Sequence, residues 1–532
     1  MSVAASPSLP LWNSPIALKR ERNAAPALQP DATVTQRQTN AEREWQTDLD
    51  SHLNADLAPS RLFREGRNCS RITQARRARV LVDGHAYFSA LRTAILKARH
   101  SILVVGWDFD GRIRLCPDDP ACDETLGELL RRQVERHPDL HVRVLVWSSA
   151  VVHGPSAPVG LLIGDAWQDH PRISVRLDPT HPAYAAHHQK IVCLDGALAF
   201  TGGMDLTVDR WDTSRHHPVD PHRCLPDGTP YGPVHDVMLM LDGPAASAIC
   251  ALANERWTGC TGEEVSIPCR AGDPTLWPED AEPGFENTRL ALARSLPAWK
   301  NRPRIAEAPL LLADVLKAAR RSLYIEAQYL TAHHVSEILE QRLGEADGPE
   351  IVAVVSDTTH SWFERAIMGA NRNRLLRRLA RADRHGRLRV FNPVVEGPEG
   401  PCPILVHAKV MVADDTYLWV GSSNLNNRSV GLDSEFDVTL EADSAAQRDS
   451  VAAIRNSLLG EHLGAAAERV AAHLEATGSL VATVDMLNGG PRRLRPFRAP
   501  YRDGPTDAIP GTPILDPVEP FSLSRLWQKL WR

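Results

Sequence analysis

His407, Lys409 and Asp414 stand in the order His-x-Lys-x4-Asp, and so do His188, Lys190 and Asp195. Each triplet runs into an apolar stretch and then a small-residue turn, Gly421-Ser422-Ser423-Asn424 in the later copy and Gly202-Gly203-Met204-Asp205 in the earlier one. The later copy continues through Arg428-Ser429 to Asp433-Ser434-Glu435. With Lys pooled with Arg and Asp with Glu, this composition gives about 0.3 chance matches to the spacing, so one copy alone would be weak evidence. Two strict copies with matching flanks indicate an internal repeat.

In an extended strand, residues i and i+2 project to the same side. His188 therefore pairs with Lys190, and His407 with Lys409. Two such pairs brought face to face would surround one phosphate with two imidazoles and two ammonium groups. That equipment can break a phosphodiester without a metal: one imidazole attacks phosphorus, and the other, protonated, donates to the leaving oxygen. Lys190, Lys409 and Asn424 would stabilise charge on the non-bridging oxygens. Each imidazole needs a carboxylate on its far nitrogen to fix its tautomer, and Asp236 and Glu435 are the candidates. Asp195 and Asp414, at the far ends of their strands, are read as structural, as are Gly203 and Ser422 in the turns. Arg210-Trp211-Asp212 fits either packing or substrate lining. His216, His217, His222 and His235 are irregularly spaced in a Pro-rich loop, which suits a mobile lid better than a metal site. No metal and no cofactor are expected.

The elements that must position these residues alternate. Val80–Val82 reads as a strand, Ala86–Arg99 as a helix, Ser101–Trp107 as a buried strand, Leu126–Glu135 as a helix and Val142–Trp147 as another buried strand. The same grammar restarts with a helix over Leu310–Arg321 and strands over Ser322–Glu326, Ile351–Val355 and Leu388–Phe391. This is an α/β layered protein with whole domains repeated. The organisation follows: residues 1–40, Pro- and Ser-rich, disordered; 41–258 a first lobe; 259–308 a long connection; 309–488 a second lobe; 489–532 a Pro- and Arg-rich tail. Residues 41–78 suit an exposed helix leading into the basic run Arg71–Arg79, read as a solvated face. At the end of the tail, Leu523, Leu526, Trp527, Leu530 and Trp531 share one helical face and Arg525, Lys529 and Arg532 the other, which suits a membrane interface or a contact with the protein itself.

Bulk properties narrow the classes. Hydrophobic residues at 43% and charged ones at 24% are ordinary for a globular protein. A net charge of −6 argues against a broadly basic nucleic-acid surface. Nine cysteines without a Cys-x-x-Cys pair argue against a zinc knuckle and suit a reducing compartment. The N-terminus does not read as a secretory leader, and no apolar run reaches membrane-spanning length. A cytoplasmic or peripheral membrane location is expected, with export by another route left open.

The duplicated motif resembles that of the phospholipase D superfamily, over roughly Val80 to Asp443. The stretches His187-His188-Gln189-Lys190, Ala199 to Leu206, Arg210-Trp211-Asp212 and His235-Asp236-Val237 are similar to the first motif region of its eukaryote-type and related bacterial members. Tyr324-Ile325-Glu326-Ala327-Gln328-Tyr329 resembles another block of that subgroup, with Ala327 in place of its Asn. The resemblance implies two pseudo-symmetric α/β/α sandwich lobes with mixed sheets around one shared site. It also implies His188 as nucleophile and His407 as acid. The expected activity is hydrolysis of a glycerophospholipid to phosphatidic acid and a free alcohol. The alternatives are a phosphatidyltransferase of the cardiolipin synthase type and, third, a nuclease. The expected partner is a phospholipid membrane surface, with no nucleic acid and a monomeric chain.

Overall fold

In the computed structural model, residues 62–148, 165–265, 274–357, 362–497, 504–506 and 516–518 are described. The expected disordered segment and the terminal amphipathic helix lie outside the described residues. The first half contains β1 (Arg71–Val82), β2 (Ser101–Gly106), β3 (His141–Trp147), β4 (Ile173–Asp178), β5 (Ile191–Leu194), β6 (Leu198–Gly202), β7 (Val234–His235) and β8 (Val237–Asp242). The second half contains β9 (Phe285–Leu296), β10 (Ile305–Ala306), β11 (Ser322–Ala327), β12 (Glu350–Val355), β13 (Leu388–Gly397), β14 (Gly400–Pro403), β15 (Leu405–Val406), β16 (Lys409–Ala413), β17 (Tyr417–Gly421) and β18 (Glu435–Glu441). Last comes β19 (Arg492–Pro496), which pairs with β13.

The two halves pair their strands in the same order. The first sheet runs β4–β3–β2–β5–β6–β8–β1. The second runs β13–β12–β11–β16–β17–β18–β9. In each, the first three strands are mutually parallel and every later neighbour is antiparallel. Among the parallel strands, the central β2 is a continuous apolar run buried at every position, whereas β4 at the edge alternates and exposes Arg176. The edges meet where β1 pairs antiparallel with β9, from Arg71↔Leu292 to Ala78↔Phe285.

Helices cover both faces. On one side of the first sheet, the helices Asp83–Lys97 and Leu126–Arg136 pack Leu91, Ile95, Leu129 and Leu130 against Val104, Val144, Val192 and Phe200. On the other, the helix Pro244–Thr261 packs Ile249, Ala253 and Trp257 against Val105, Cys193 and Leu239. The equivalent helix of the second half, Ala445–Leu463, joins the same apolar cluster through Val451, Leu458 and Leu459, beside Val410 and Leu418. Burying such side chains stabilises by about 1.5–3 kcal/mol each. The architecture is two pseudo-symmetric α/β/α lobes with mixed sheets.

Two local expectations are corrected. The basic run Arg71–Arg79 is neither the end of a helix nor a free solvated face: it forms most of β1. Arg77 pairs with Asp242 at 2.6 Å, Arg76 meets the same carboxylate, and Arg79 donates to the Glu282 carbonyl. The stretch read as a connection, 259–308, contributes β9, whose Leu290, Ala291, Leu292 and Ala293 are buried between β1 and β18. Small alanines and isolated charges hide a strand that is defined by having a partner on each side.

Candidate active site

The motif residues lie where each half presents a strand start to the other. His188 and Lys190 lead into β5, and Lys409 opens β16. Two crossings bring the halves together here. The His188 amide donates to the Ser434 carbonyl at 2.9 Å, and the His407 amide donates to the His235 carbonyl at 2.8 Å. The short strands β7 and β15 run parallel just ahead of this second crossing.

The two carboxylates chosen from the sequence are exchanged between halves. Asp236, from the first half, receives His407 Nδ1 at 2.7 Å. Glu435, from the second, lies 3.0 Å from His188 Nδ1. The Ser422 carbonyl lies 3.0 Å from the same nitrogen. A proton on each Nδ1 faces a carboxylate, which leaves each Nε2 with its lone pair for chemistry. The sequence placed each carboxylate after its own motif; only the fold shows that each serves the other motif's imidazole.

The turns explain how each carboxylate fits. A Cβ on Gly203 would lie 2.1 Å from Asp236 Oδ1, so only glycine admits the aspartate there. At the equivalent place in the second half, Ser422 Oγ donates to Glu435 Oε2 at 2.5 Å, and Ser429 Oγ donates to Oε1 at 2.7 Å. Asp195 accepts the backbone amides of Arg99, His100 and Ser101 at 2.7–2.8 Å. Asp414 accepts those of Arg320, Arg321 and Ser322 in the same way. Neither touches the imidazoles; each pins the strand that neighbours its motif strand.

The lysines differ. Lys190 Nζ donates to the His188 carbonyl at 3.1 Å and pairs with Asp205 at 2.9 Å. Lys409 Nζ donates to the His407 carbonyl at 2.5 Å and lies 3.3 Å from that ring's Nδ1. Asn424 stands where the first half has Asp205, and its amide donates to Ser429 Oγ at 3.1 Å. Its Oδ1 is buried without a hydrogen bond. Arg210 is a site residue that the sequence left undecided. It is buried, and its positive charge acts on His407, Asp236 and Lys409 alike. Its neighbour Asp212 instead anchors Arg223 and His216, and Trp211 is packed into the first half's core.

The electrostatics make one site of two halves. Burial, then Lys190 and Lys409, hold His188 well below its ordinary value. Burial, then Lys409, Arg210, Lys190 and His188 itself, do the same for His407. Both imidazoles are neutral and nucleophilic in the free protein. Burial lowers Lys409 to about 7, opposed by Asp236, and burial raises Glu435 to about 7. His188 is the more accessible imidazole, with 14% of its side chain exposed against 8% for His407.

His216 and His235 are fully buried, so they are not lid residues; His217 and His222 are exposed. Glu326, in the Tyr324–Tyr329 block, lies 2.9 Å from His235 Nε2 and 3.0 Å from His462 Nε2.

The repeated strand order, with one His-x-Lys-x4-Asp motif beside the same strand of each half, defines a duplicated α/β/α protein with a single composite site. The family profile described as "Cardiolipin synthase, PLD-like domain" matches residues 312–452. Phospholipase D alpha 1 of Vigna unguiculata is 23% identical, over 72% of this chain and 64% of its own length. Phospholipase D2 of Bos taurus is 32% identical over 27% of this chain and 15% of its own. A solved phosphatidylserine synthase from Haemophilus influenzae Rd KW20 aligns over 78% of this chain and 96% of its own, at 13% identity and a TM-score of 0.47. The chain belongs to the phospholipase D superfamily. It spans less than two thirds of the length of these phospholipase D relatives. Among the described residues, no helix is long and apolar enough to cross a membrane.

Proposed function

We propose that this chain is a phospholipase D, hydrolysing a glycerophospholipid to phosphatidic acid and its head-group alcohol. The observation that carries the reading is the exchanged pair of carboxylate–imidazole contacts, Asp236 with His407 and Glu435 with His188, set among Lys190, Lys409 and Arg210. The substrate phosphate, a monoanion, docks among these cations. His188 Nε2 attacks phosphorus. The phosphorus–oxygen bond to the head group breaks, and the departing oxygen takes a proton from His407 Nε2, which must carry one when substrate is bound. The phosphate's negative charge supplies the reason: it offsets the lysines that hold His407 neutral in the free protein. Asn424 and the lysines hold the non-bridging oxygens. Water then gives a proton to His407 Nε2 and attacks phosphorus, releasing phosphatidic acid and free His188.

Mixed vesicles of phosphatidylcholine and phosphatidylethanolamine, analysed by mass spectrometry, test this. Phosphatidic acid accumulates with the intact protein, and His188→Ala and His407→Ala each lose at least about a thousandfold in rate. Full activity of His188→Ala would refute the mechanism. A second reading is favoured by the family match over 312–452: an alcohol, glycerol or phosphatidylglycerol, takes the place of water. Products measured with and without added alcohol separate hydrolysis from transfer.

A further inference from the structure

Behind the motif histidines, four side chains converge from separated parts of the chain: Asp83, His216, His235 and Glu461. One carboxylate oxygen, Glu461 Oε1, lies 2.8 Å from His235 Nδ1 and 3.0 Å from His216 Nε2. Asp83 lies 3.0 Å from His235 Nδ1 through Oδ1 and 3.6 Å from His216 Nε2 through Oδ2. All four ligand atoms lie within 4.8 Å of one another. Donors held at about 2.0–2.2 Å around one tetrahedral ion lie about 3.3–3.6 Å apart, so the pairs at 2.8–3.0 Å would open slightly around it while the 3.6 Å pair already has that spacing.

Two further observations point to an ion. His235 Nδ1 and Asp83 Oδ2 are buried and make no hydrogen bond, although oppositely charged groups surround them. The close oxygens therefore sit beside the ring nitrogen without lying in line with a ring N–H. Second, each imidazole turns its other nitrogen to a carboxylate. His235 Nε2 meets Glu326 Oε2 at 2.9 Å, and His216 Nδ1 meets Asp212 Oδ2 at 2.9 Å. A carboxylate behind each histidine is the usual support for an imidazole that ligates metal, since it fixes the tautomer and raises basicity.

We propose that Asp83, His216, His235 and Glu461 bind one divalent transition-metal ion, zinc by their ligand chemistry, as a closed structural site. Two carboxylates and two neutral imidazoles balance a dipositive ion in a buried, oxygen-and-nitrogen set. The ion would tie the first half to the helix Ala445–Leu463 of the second. It would also fix His235, whose carbonyl holds the His407 amide and whose neighbour Asp236 holds the His407 ring. The site supplies no open position to substrate, so its role is positional.

The rival is a cluster of protonated imidazoles and carboxylates without metal. Tag-free protein, purified without chelator from zinc-supplemented medium, is analysed by plasma mass spectrometry. The expected result is one zinc per chain, retained in His188→Ala and lost in His216→Gln and Glu461→Gln. Chelation lowers Tm and added zinc restores it. X-ray absorption at the zinc edge of the unmutated protein covers the case in which the variants fail to fold: nitrogen and oxygen neighbours including two imidazoles are expected. Absence of stoichiometric metal with no zinc response in Tm, zinc retained in both variants, or a sulfur shell would each overturn the site.

Discussion

Substituting Gly203 with alanine isolates one contact of the proposed mechanism. The new Cβ would lie 2.1 Å from Asp236 Oδ1 and 3.1 Å from Oδ2. Ordinary contact requires the carboxylate to retreat by about 1 Å, since packed interiors tolerate little overlap. Asp236 holds His407 Nδ1 at 2.7 Å, so the imidazole loses its partner or follows it out of line. A misplacement of about 1 Å at a reacting group costs roughly a hundredfold in rate. Loss of the orienting carboxylate altogether approaches about ten-thousandfold. Overpacking should cost about 1–3 kcal/mol in stability, which a well-buried protein of this size survives. The expected result for Gly203→Ala is therefore a kcat lower by about 10²–10⁴ with KM little changed and the circular dichroism spectrum intact. The assay is phosphatidic acid release from a short-chain phosphatidylcholine above and below saturation. Asp236→Asn should fall in the same range. Because both changes act on one contact, the double variant should lose no more than the worse single one. Wild-type kcat in a folded Gly203→Ala protein, or multiplicative losses in the double variant, would refute the reasoning.

Two other tests address pH and stability. Burial raises Glu435 to about 7, so it is protonated below that pH and can no longer hold the His188 Nδ1–H as a carboxylate. kcat/KM should fall as pH drops from about 7 towards about 5, and Glu435→Gln should be slow throughout and lack that limb; a flat wild-type profile over this range would sink the assignment. Asp195→Ala strips the hydrogen bonds from three buried or half-buried amides. A loss of about 3 kcal/mol in urea unfolding, with the folded fraction still active, is expected; a drop in kcat without loss of stability would place Asp195 in the chemistry instead.

Much of this was legible in the sequence because it was local. The strands β2 and β12 show through the apolar runs Ile102–Val105 and Ile351–Val355, since strands buried on both faces need no polar side. The motif histidines and lysines show because a fixed spacing on a strand is a fixed direction in space. The strand β9 did not show, because Ala291, Ala293 and Arg294 carry little β preference and take their conformation from neighbours far away in the chain.

The sequence by itself determined that the chain is a duplicated α/β protein carrying two histidine–lysine pairs and the carboxylates to serve them. Only the tertiary structure decided that Asp236 serves His407 and Glu435 serves His188, and that Asp83, His216, His235 and Glu461 meet at all. The reason is physical. Spacing along a strand or helix fixes which side chains share a face, whereas a contact between halves depends on how two sheets join at β1 and β9. No local pattern records that junction.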